Sequence, residues 1–417
     1  MNDDLEDNLR SALGHASERA PHAPSGLSAH IVTRSRRRGT RARALAAAVA
    51  VAVVTGGLAV TVRGAANPLD PTADPMAASS AGSAKPSLPG EVSEIPDPAE
   101  KVWPRAVRKI PAVLPDGREL RPQTFIDDHT LLVETWSSFE KSDAIYAYDM
   151  DNAEIRKITD VPTPKKTVTF ASNFTIGAGQ VAWWTARKSD DGKVVDLWAA
   201  PLAGGEARLV ASYRNDEDVS GLLDPPAVTG DGRIAFSFRR SDGVFSVPLG
   251  GGTVKPVAGA DRYHVMDWPW VGSGGIFEHA EPTFAELLNV ETGERRTALI
   301  NPGERDVRCG LIACVGRKAD GKSFYRLRDG SREREPSFRL NLLPGRAVDR
   351  FHGSTYRKGE RRGSILHDMV TGRSGDLGIH PAEGEGVKLT APMMGNERLV
   401  SYRIGDQIVV IDLGKIN

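Results

Sequence analysis

The sequence predicts an all-β protein, a β-propeller of about seven four-stranded blades, placed after a single N-terminal transmembrane helix and a disordered stalk. Three observations carry that expectation. A short strand-turn-strand unit recurs through the C-terminal part of the chain at roughly 40 to 50 residues, the period of propeller blades. Glycine (43 residues) and proline (27 residues) are abundant, as a protein made of many turns requires. An uncharged apolar run, ALAAAVAVAVVTGGLAVTV over residues 44–62, precedes a stretch rich in Pro, Ala and Ser.

The chain has 417 residues, enough for one large repeat domain or a few ordinary ones. Its 54 Lys and Arg balance 54 Asp and Glu, so nothing in the net charge points to nucleic acid, and none is expected as a partner. Two cysteines exclude a disulfide-dense scaffold or a multi-cysteine metal site and leave room for one bridge.

Residues 1–43 form the first segment, a cytosolic tail too short for a stable domain. Asp3 and Asp4 precede Leu5, Leu9, Ala12, Leu13 and Ala16, a helical spacing with acidic residues in the first turn. Residues 1–33 are therefore either a solvated tail or a docking peptide for a cytosolic regulator such as a sigma factor or kinase. No zinc-ligand set of His and Cys occurs in residues 1–43.

The run 44–62 is long enough at about 1.5 Å per residue to cover roughly 29 Å, the thickness of a bilayer core. Arg34, Arg36, Arg37, Arg38, Arg41 and Arg43 precede it and only Arg63 follows at once. The positive-inside rule then places the N-terminus in the cytosol and the rest of the chain outside a plasma membrane. A cleaved signal peptide is the alternative, since Gly64-Ala65-Ala66 offers small residues for cleavage. Residues 63–101 have no hydrophobic period and read as a flexible linker.

Residues 102–417 hold the blades. One recurring strand and its return turn start at Ile145, Leu197, Val244, Leu287, Phe324, Ile365 and Ile408. A second strand precedes each copy, starting at Thr130, Gln180, Arg233, Gly275, Leu311, Phe351 and Arg398. Turn residues such as Asp127-Asp128, Gly179, Asp231-Gly232 and Gly310 stand before these strands, where a tight hairpin needs positive φ or an Asx turn. The last copy ends with the chain at Asn417, while a strand-like piece around Val107 to Leu114 has no blade of its own. It is expected to supply the outer strand of the C-terminal blade and close the ring.

With WAAPLAGGEARLV and CGLIAC among its blades, this order of Arg-rich tail, apolar run, stalk and repeats resembles single-pass actinobacterial membrane proteins with an extracytoplasmic TolB-like or WD40-like propeller. The WD dipeptide itself is absent from the blade ends. The resemblance implies a ligand- or protein-binding, sensing role at the cell surface, with a sigma factor as the cytosolic partner of some such proteins.

Cys309 and Cys314 flank Gly310 in a hairpin, where the two side chains could face each other and bridge in an oxidising compartment. The catalytic motifs G-x-S-x-G and H-E-x-x-H and the EF-hand loop are missing. Asp149, Asp151 and Glu154 come nearest to a calcium loop and lack its glycine and later glutamate. No catalytic, cofactor or metal residue is nominated. Trp268 and Trp270, expected on an inter-blade connection, are the candidate binding face, since exposed tryptophans can stack on a sugar or grip a peptide. The alternative from another class is an envelope enzyme, glycan- or lactone-cleaving, with its site on one face of the ring.

Overall fold

The computed structural model describes residues 90–114, 116–138, 141–190, 192–214, 222–274, 283–336, 350–380 and 398–417. The tail, including the six arginines that directly precede the apolar run, and the run 44–62 itself lie outside the described residues. Among the described residues no helix is long and apolar enough to cross a membrane.

The described chain opens with β1 (Gly90–Glu91), helix α1 (Ala99–Val102) and β2 (Val107–Pro111). Blade A holds β3 (Arg121–Phe125), β4 (Thr130–Ser138), β5 (Lys141–Asp149) and β6 (Ile155–Asp160). Blade B holds β7 (Thr167–Gly177), β8 (Gln180–Ser189), β9 (Gly192–Pro201) and β10 (Arg208–Tyr213). Blade C holds β11 (Ala227–Val228), β12 (Arg233–Phe238), β13 (Ser241–Pro248) and β14 (Lys255–Pro256). Blade D holds β15 (Tyr263–Asp267), β16 (Trp270–Ser273), β17 (Glu286–Asn289) and β18 (Arg295–Thr297). Blade E holds β19 (Arg305–Cys309), β20 (Ala313–Arg317) and β21 (Ser323–Leu327). Blade F holds β22 (Phe351–Lys358), β23 (Arg361–Asp368) and β24 (Ser374–Asp376), and blade G β25 (Leu399–Ile404) and β26 (Gln407–Asp412).

Burial orients each blade. Central strands such as β8 are buried along nearly their whole length, whereas the fourth strands β14 and β18 are fully exposed. The fourth strands therefore face outward and the first strands face the axis. Seven sheets arise among the described residues. Each hydrophobic cluster then lies on a seam: Leu132 and Ile145 of blade A meet Val181 and Trp183 of blade B, and Trp184 and Leu197 of blade B meet Phe236 and Phe238 of blade C. Val315 and Tyr325 of blade E pack on Tyr356 and Ile365 of blade F, and Phe351 and Leu366 of blade F pack with Val409 and Ile411 of blade G. The last seam joins Ile408 and Val410 of blade G to Leu131 and Val133 of blade A, so the packing returns to its start. The chain is a seven-bladed propeller.

Closure follows the expected route. β2 pairs antiparallel with β26, from Val107 opposite Ile411 to Pro111 opposite Gln407, and takes the outer place in blade G. The strand ends at Pro111, a residue that cannot donate to a further ladder bond. Three expectations need correction. The linker placed over 63–101 is folded from Gly90 onward: β1 pairs parallel with β22, Pro98 bridges Asp376, and α1 packs on the edge of β24. There a Cβ on Gly375 would stand 2.7 Å from the Trp103 ring, so only glycine admits this contact. The second strand of blade D is Trp270–Ser273, displaced from the segment expected at Gly275, which lies outside the described residues. Not every blade has four strands: among the described residues blades E and G each form a three-stranded sheet, though Arg334 bridges Tyr325 where a fourth strand of blade E would run.

The seam at Ile110 sets a test. Ile110 is 3% exposed and pairs with Ile408, while nearby Val113 is 38% exposed. Ile110→Ala should cost about 2–5 kcal/mol in urea unfolding, and Val113→Ala under about 1 kcal/mol. Equal midpoints for the two variants would contradict closure through β2.

Candidate functional site

Blade topology puts the turns between first and second strands, and between third and fourth, on one face of the ring. The hairpins between second and third strands emerge on the other. On the first face one turn chemistry recurs. The side chain of Asp149 accepts from the amides of Asp151 and Asn152 at 2.8 and 3.3 Å, Asn289 from Glu291 and Thr292 at 3.1 and 3.0 Å, and Asp368 from Val370 and Thr371 at 2.9 and 3.4 Å. These are Asx turns that let the chain reverse after the third strand. The carboxylates near Asp149 are thus committed to a turn and to ion pairs with Arg108 and His129.

The same face carries the tryptophan pair. Trp268 lies in the turn between β15 and β16 and Trp270 opens β16, both inside blade D, which corrects the expected inter-blade position. Both are half-buried. Trp268 packs against the seam between blades C and D and donates from Nε1 to Glu291 Oε1 at 2.9 Å. The Arg296 guanidinium lies 4.2 Å from the centre of the Trp270 ring. Register explains the meeting: Trp270 lies opposite Asn289, so the Asx turn after β17 delivers Glu291, and β18 delivers Arg296. Two aromatic rings are thereby held in fixed orientation with part of each surface open, an arrangement suited to an aromatic, peptide or sugar contact. Glu291 and Arg296 were missed by sequence reasoning; the signal was the ETGERR turn, readable only once its register against WPW is known. Trp183, by contrast, is fully buried in a seam, and Trp198 donates from Nε1 to Thr185 at 3.1 Å.

Buried ionisable groups elsewhere hold the seams. His264 bridges Asp224 and Asp242, each at 3.0 Å, while Ser237 donates to Asp224 at 2.8 Å. Burial opposes charge on His264, but the bond to Asp224 and the two carboxylates outweigh it and hold the imidazole above its ordinary value. Ser237 bonds Asp224 and the Val265 amide, so this trio is a clamp and lacks the serine-histidine contact of a nucleophilic triad. Arg326, 1% exposed, binds both oxygens of Glu304 at 2.6 Å and so overcomes the burial that would raise that carboxyl, holding it at about 2. Burial pushes Glu134, 5% exposed on β4, up to about 7, with Gln123 Nε2 donating to it at 2.7 Å. His352 and His367 lie directly opposite on β22 and β23, and burial drives each down to about 4. His380 bonds the Arg362 carbonyl at 3.0 Å, and His279 lies outside the described residues. Among the described residues no group of His, Cys, Asp or Glu is placed to hold a metal.

Cys309 and Cys314 form a disulfide, with an S–S distance of 2.03 Å, across the β19–β20 pair. It ties a hairpin of blade E and lies fully buried.

No family model matches the chain, and no curated protein sequence matches it. Several solved structures match it at low identity. A protein described as putative TolB from Agrobacterium tumefaciens is 13% identical with a TM-score of 0.30, covering 70% of this chain and 90% of that one. BamB from Moraxella catarrhalis is 14% identical with a TM-score of 0.30, covering 71% and 86%. An uncharacterized protein from Listeria monocytogenes EGD-e is 12% identical with a TM-score of 0.40, covering 76% and 91%.

Two outcomes follow from these geometries. Between pH 6.5 and 4.5 the unfolded chain protonates at both histidines while the folded one leaves His352 and His367 neutral, so their effect is lost stability as pH falls. Glu134 acts oppositely in this window, because the folded state holds its proton where the unfolded state releases it. The net slope should be near one proton, about 1.4 kcal/mol per pH unit, and Glu134→Gln should steepen it; a urea midpoint independent of pH here would refute the assignment. Replacing both Cys309 and Cys314 by Ser should lower stability by about 2 kcal/mol, read as a shifted urea midpoint with the propeller circular-dichroism signature kept.

Proposed function

We propose that the protein is a membrane-tethered, extracytoplasmic binding propeller whose contact surface is the blade D turn at Trp268 and Trp270. The supporting observation is that both rings are half-open yet fixed, one by Glu291 and one by Arg296. Side chains ordered before contact lose little entropy on binding, and Trp with Arg is the pairing on which interface energy concentrates. The apolar run 44–62 with its preceding arginines supports the tether, and the amphipathic pattern in residues 1–33 supports a cytosolic regulator as the receiver of the binding event.

The test is crosslinking from membranes, comparing the full chain, a Trp268→Ala/Trp270→Ala variant and a chain lacking residues 1–33. The tryptophan variant should lose an envelope protein at least tenfold while its urea midpoint shows it still folded. The shortened chain should retain that protein and lose a cytosolic one. Identical captures by the full chain and the tryptophan variant would sink the assignment of this face.

A further inference from the structure

Arginines that lie over aromatic rings recur among the described residues, and most of them give a terminal nitrogen to a carboxylate of the same chain. The Arg326 guanidinium lies 4.3 Å from the centre of the Phe324 ring, binds Glu304 through Nη1 and Nη2 at 2.6 Å each, and reaches Glu333 through Nη1 at 2.9 Å. Arg398 lies 4.7 Å from the centre of the Phe125 ring, binds Asp412 through Nε and Nη2 at 2.8 and 2.7 Å, and donates from Nη2 to Asp128 as well. Arg350 over Phe351 donates to Asp368, and Arg262 over Tyr263 donates to Glu286. A guanidinium stacked on a ring and held between two carboxylates is therefore an arrangement this chain forms more than once, in spite of the repulsion between the two acids.

Arg296 begins in the same way and ends differently. Its guanidinium lies 4.2 Å from the centre of the Trp270 ring, and its Nε donates to Glu294 at 2.8 Å. Nη1 and Nη2 have no partner among the described residues, and the side chain is 48% exposed. The adjacent Arg295 serves the blade interior instead, donating to the Tyr263 hydroxyl at 2.7 Å, because successive side chains of β18 leave opposite faces of the strand. The Trp270 ring fixes the plane of the Arg296 guanidinium and the Glu294 bond fixes its rotation. The edge left over is the fork that matches a carboxylate with two parallel bonds. Glu291, bonded to Trp268, repels an anion at the other end of the turn and so directs it to Arg296.

We infer that Arg296 is the specificity-determining residue of this surface and takes an aspartate or glutamate side chain of a protein partner, next to an apolar or aromatic residue that packs on the open part of Trp270. The inference rests on the blade D contact surface proposed above and names the chemistry which that surface reads. The incoming carboxylate fills the place that Glu304 or Glu333 has at Arg326, and it meets a guanidinium whose rotamer is already fixed, so its bonds form with little ordering cost.

The experiment uses the full chain and two probes, acetyl-Phe-Asp-amide and acetyl-Phe-Asn-amide, which differ only in the carboxylate. Broadening of the probes' phenyl NMR signals on addition of the protein reads binding from the probe side. At neutral pH the Asp probe should bind roughly tenfold or more tighter than the Asn probe, and salt well above about 0.1 M should shrink that ratio. Arg296→Gln should bring the ratio to about one with the urea midpoint unchanged, and Arg296→Lys, which keeps the charge without the fork, should retain only a minor part of it. Lys255→Gln, which removes the same charge from the exposed β14 of blade C, should leave the ratio as it is. Equal binding of the two probes, or a ratio that survives Arg296→Gln, overturns the carboxylate assignment; loss of both probes in Trp268→Ala/Trp270→Ala then leaves the tryptophan surface standing. An Arg296-dependent ratio that persists unchanged in the tryptophan variant overturns that surface and upholds the carboxylate site. Binding of neither probe overturns the inference. Displacement of the Asp probe by an equal concentration of sodium acetate overturns the assignment to a protein side chain in favour of a free carboxylate.

Discussion

Everything in this fold depends on the pairing of β2 with β26. A propeller is a set of sheets that each bury two faces against neighbours, and an open ring would leave one face of blade A and one of blade G in water. Residues near 110 and near 410 in the sequence must therefore meet, and the ladder from Val107 opposite Ile411 to Pro111 opposite Gln407 brings them together. Once it forms, Ile110, Ile408 and Val410 share a cluster with Leu131 and Val133, and the first and last blades become ordinary neighbours. Bonds across the same seam add direction: Arg403 donates to Glu119 at 2.8 Å and Lys415 to the Asp128 carbonyl at 3.1 Å, while the Asp412 amide extends the β2–β26 ladder by donating to the Ala106 carbonyl at 2.9 Å. The segment before β2 reinforces it, because Arg373 of blade F donates to the Val102 carbonyl at 2.8 Å.

Apolar packing alone would let blades slide past one another, since one aliphatic surface fits another in many registers. The buried polar contacts are directional and resist that sliding. Within blades, Arg350 and Arg398 each stand before a second strand and bind, through two nitrogens, the aspartate that ends the third strand, Asp368 and Asp412, and between blades Arg398 also donates to Asp128 of blade A. Arg328 reaches between blades D and E to the carbonyls of Phe284, Ala285 and Gly310 at 3.1, 2.6 and 2.6 Å. Such groups stabilise only when each donor finds its acceptor, so their removal is costly even though their net contribution is modest.

The two faces of the ring are chemically distinct for a topological reason. In blades A, D and F the turn that follows the third strand is built around Asp149, Asn289 or Asp368, whose side chain binds the next amides, and this face carries acidic residues at blade A and tryptophans at blade D. Hairpins that follow the second strand use glycine at positive φ, as Gly359 does at +59°, and leave their flanking positions available for charge. Four cations on the blade F tip and two tryptophans on the blade D turn thus occupy opposite faces.

The sequence by itself determined the architecture: alternating strands of regular spacing, turn residues before second strands and an orphan strand near Val107 were enough to imply a closed ring of about seven blades, because side-chain period and turn chemistry are local properties. The bridge between Cys309 and Cys314 was legible for the same reason, five residues apart in one hairpin. What only the tertiary structure decided was register and neighbourhood. That Trp270 stands opposite Asn289 and so acquires Arg296, that Trp268 belongs to a turn within a blade, that Lys358 faces Arg361, and that residues 90–101 wrap blade F are facts of strand pairing between distant or offset segments. A shift of one residue in any of those pairings would send the same side chains to the other face of the sheet, and no periodicity in the chain records which alignment is chosen.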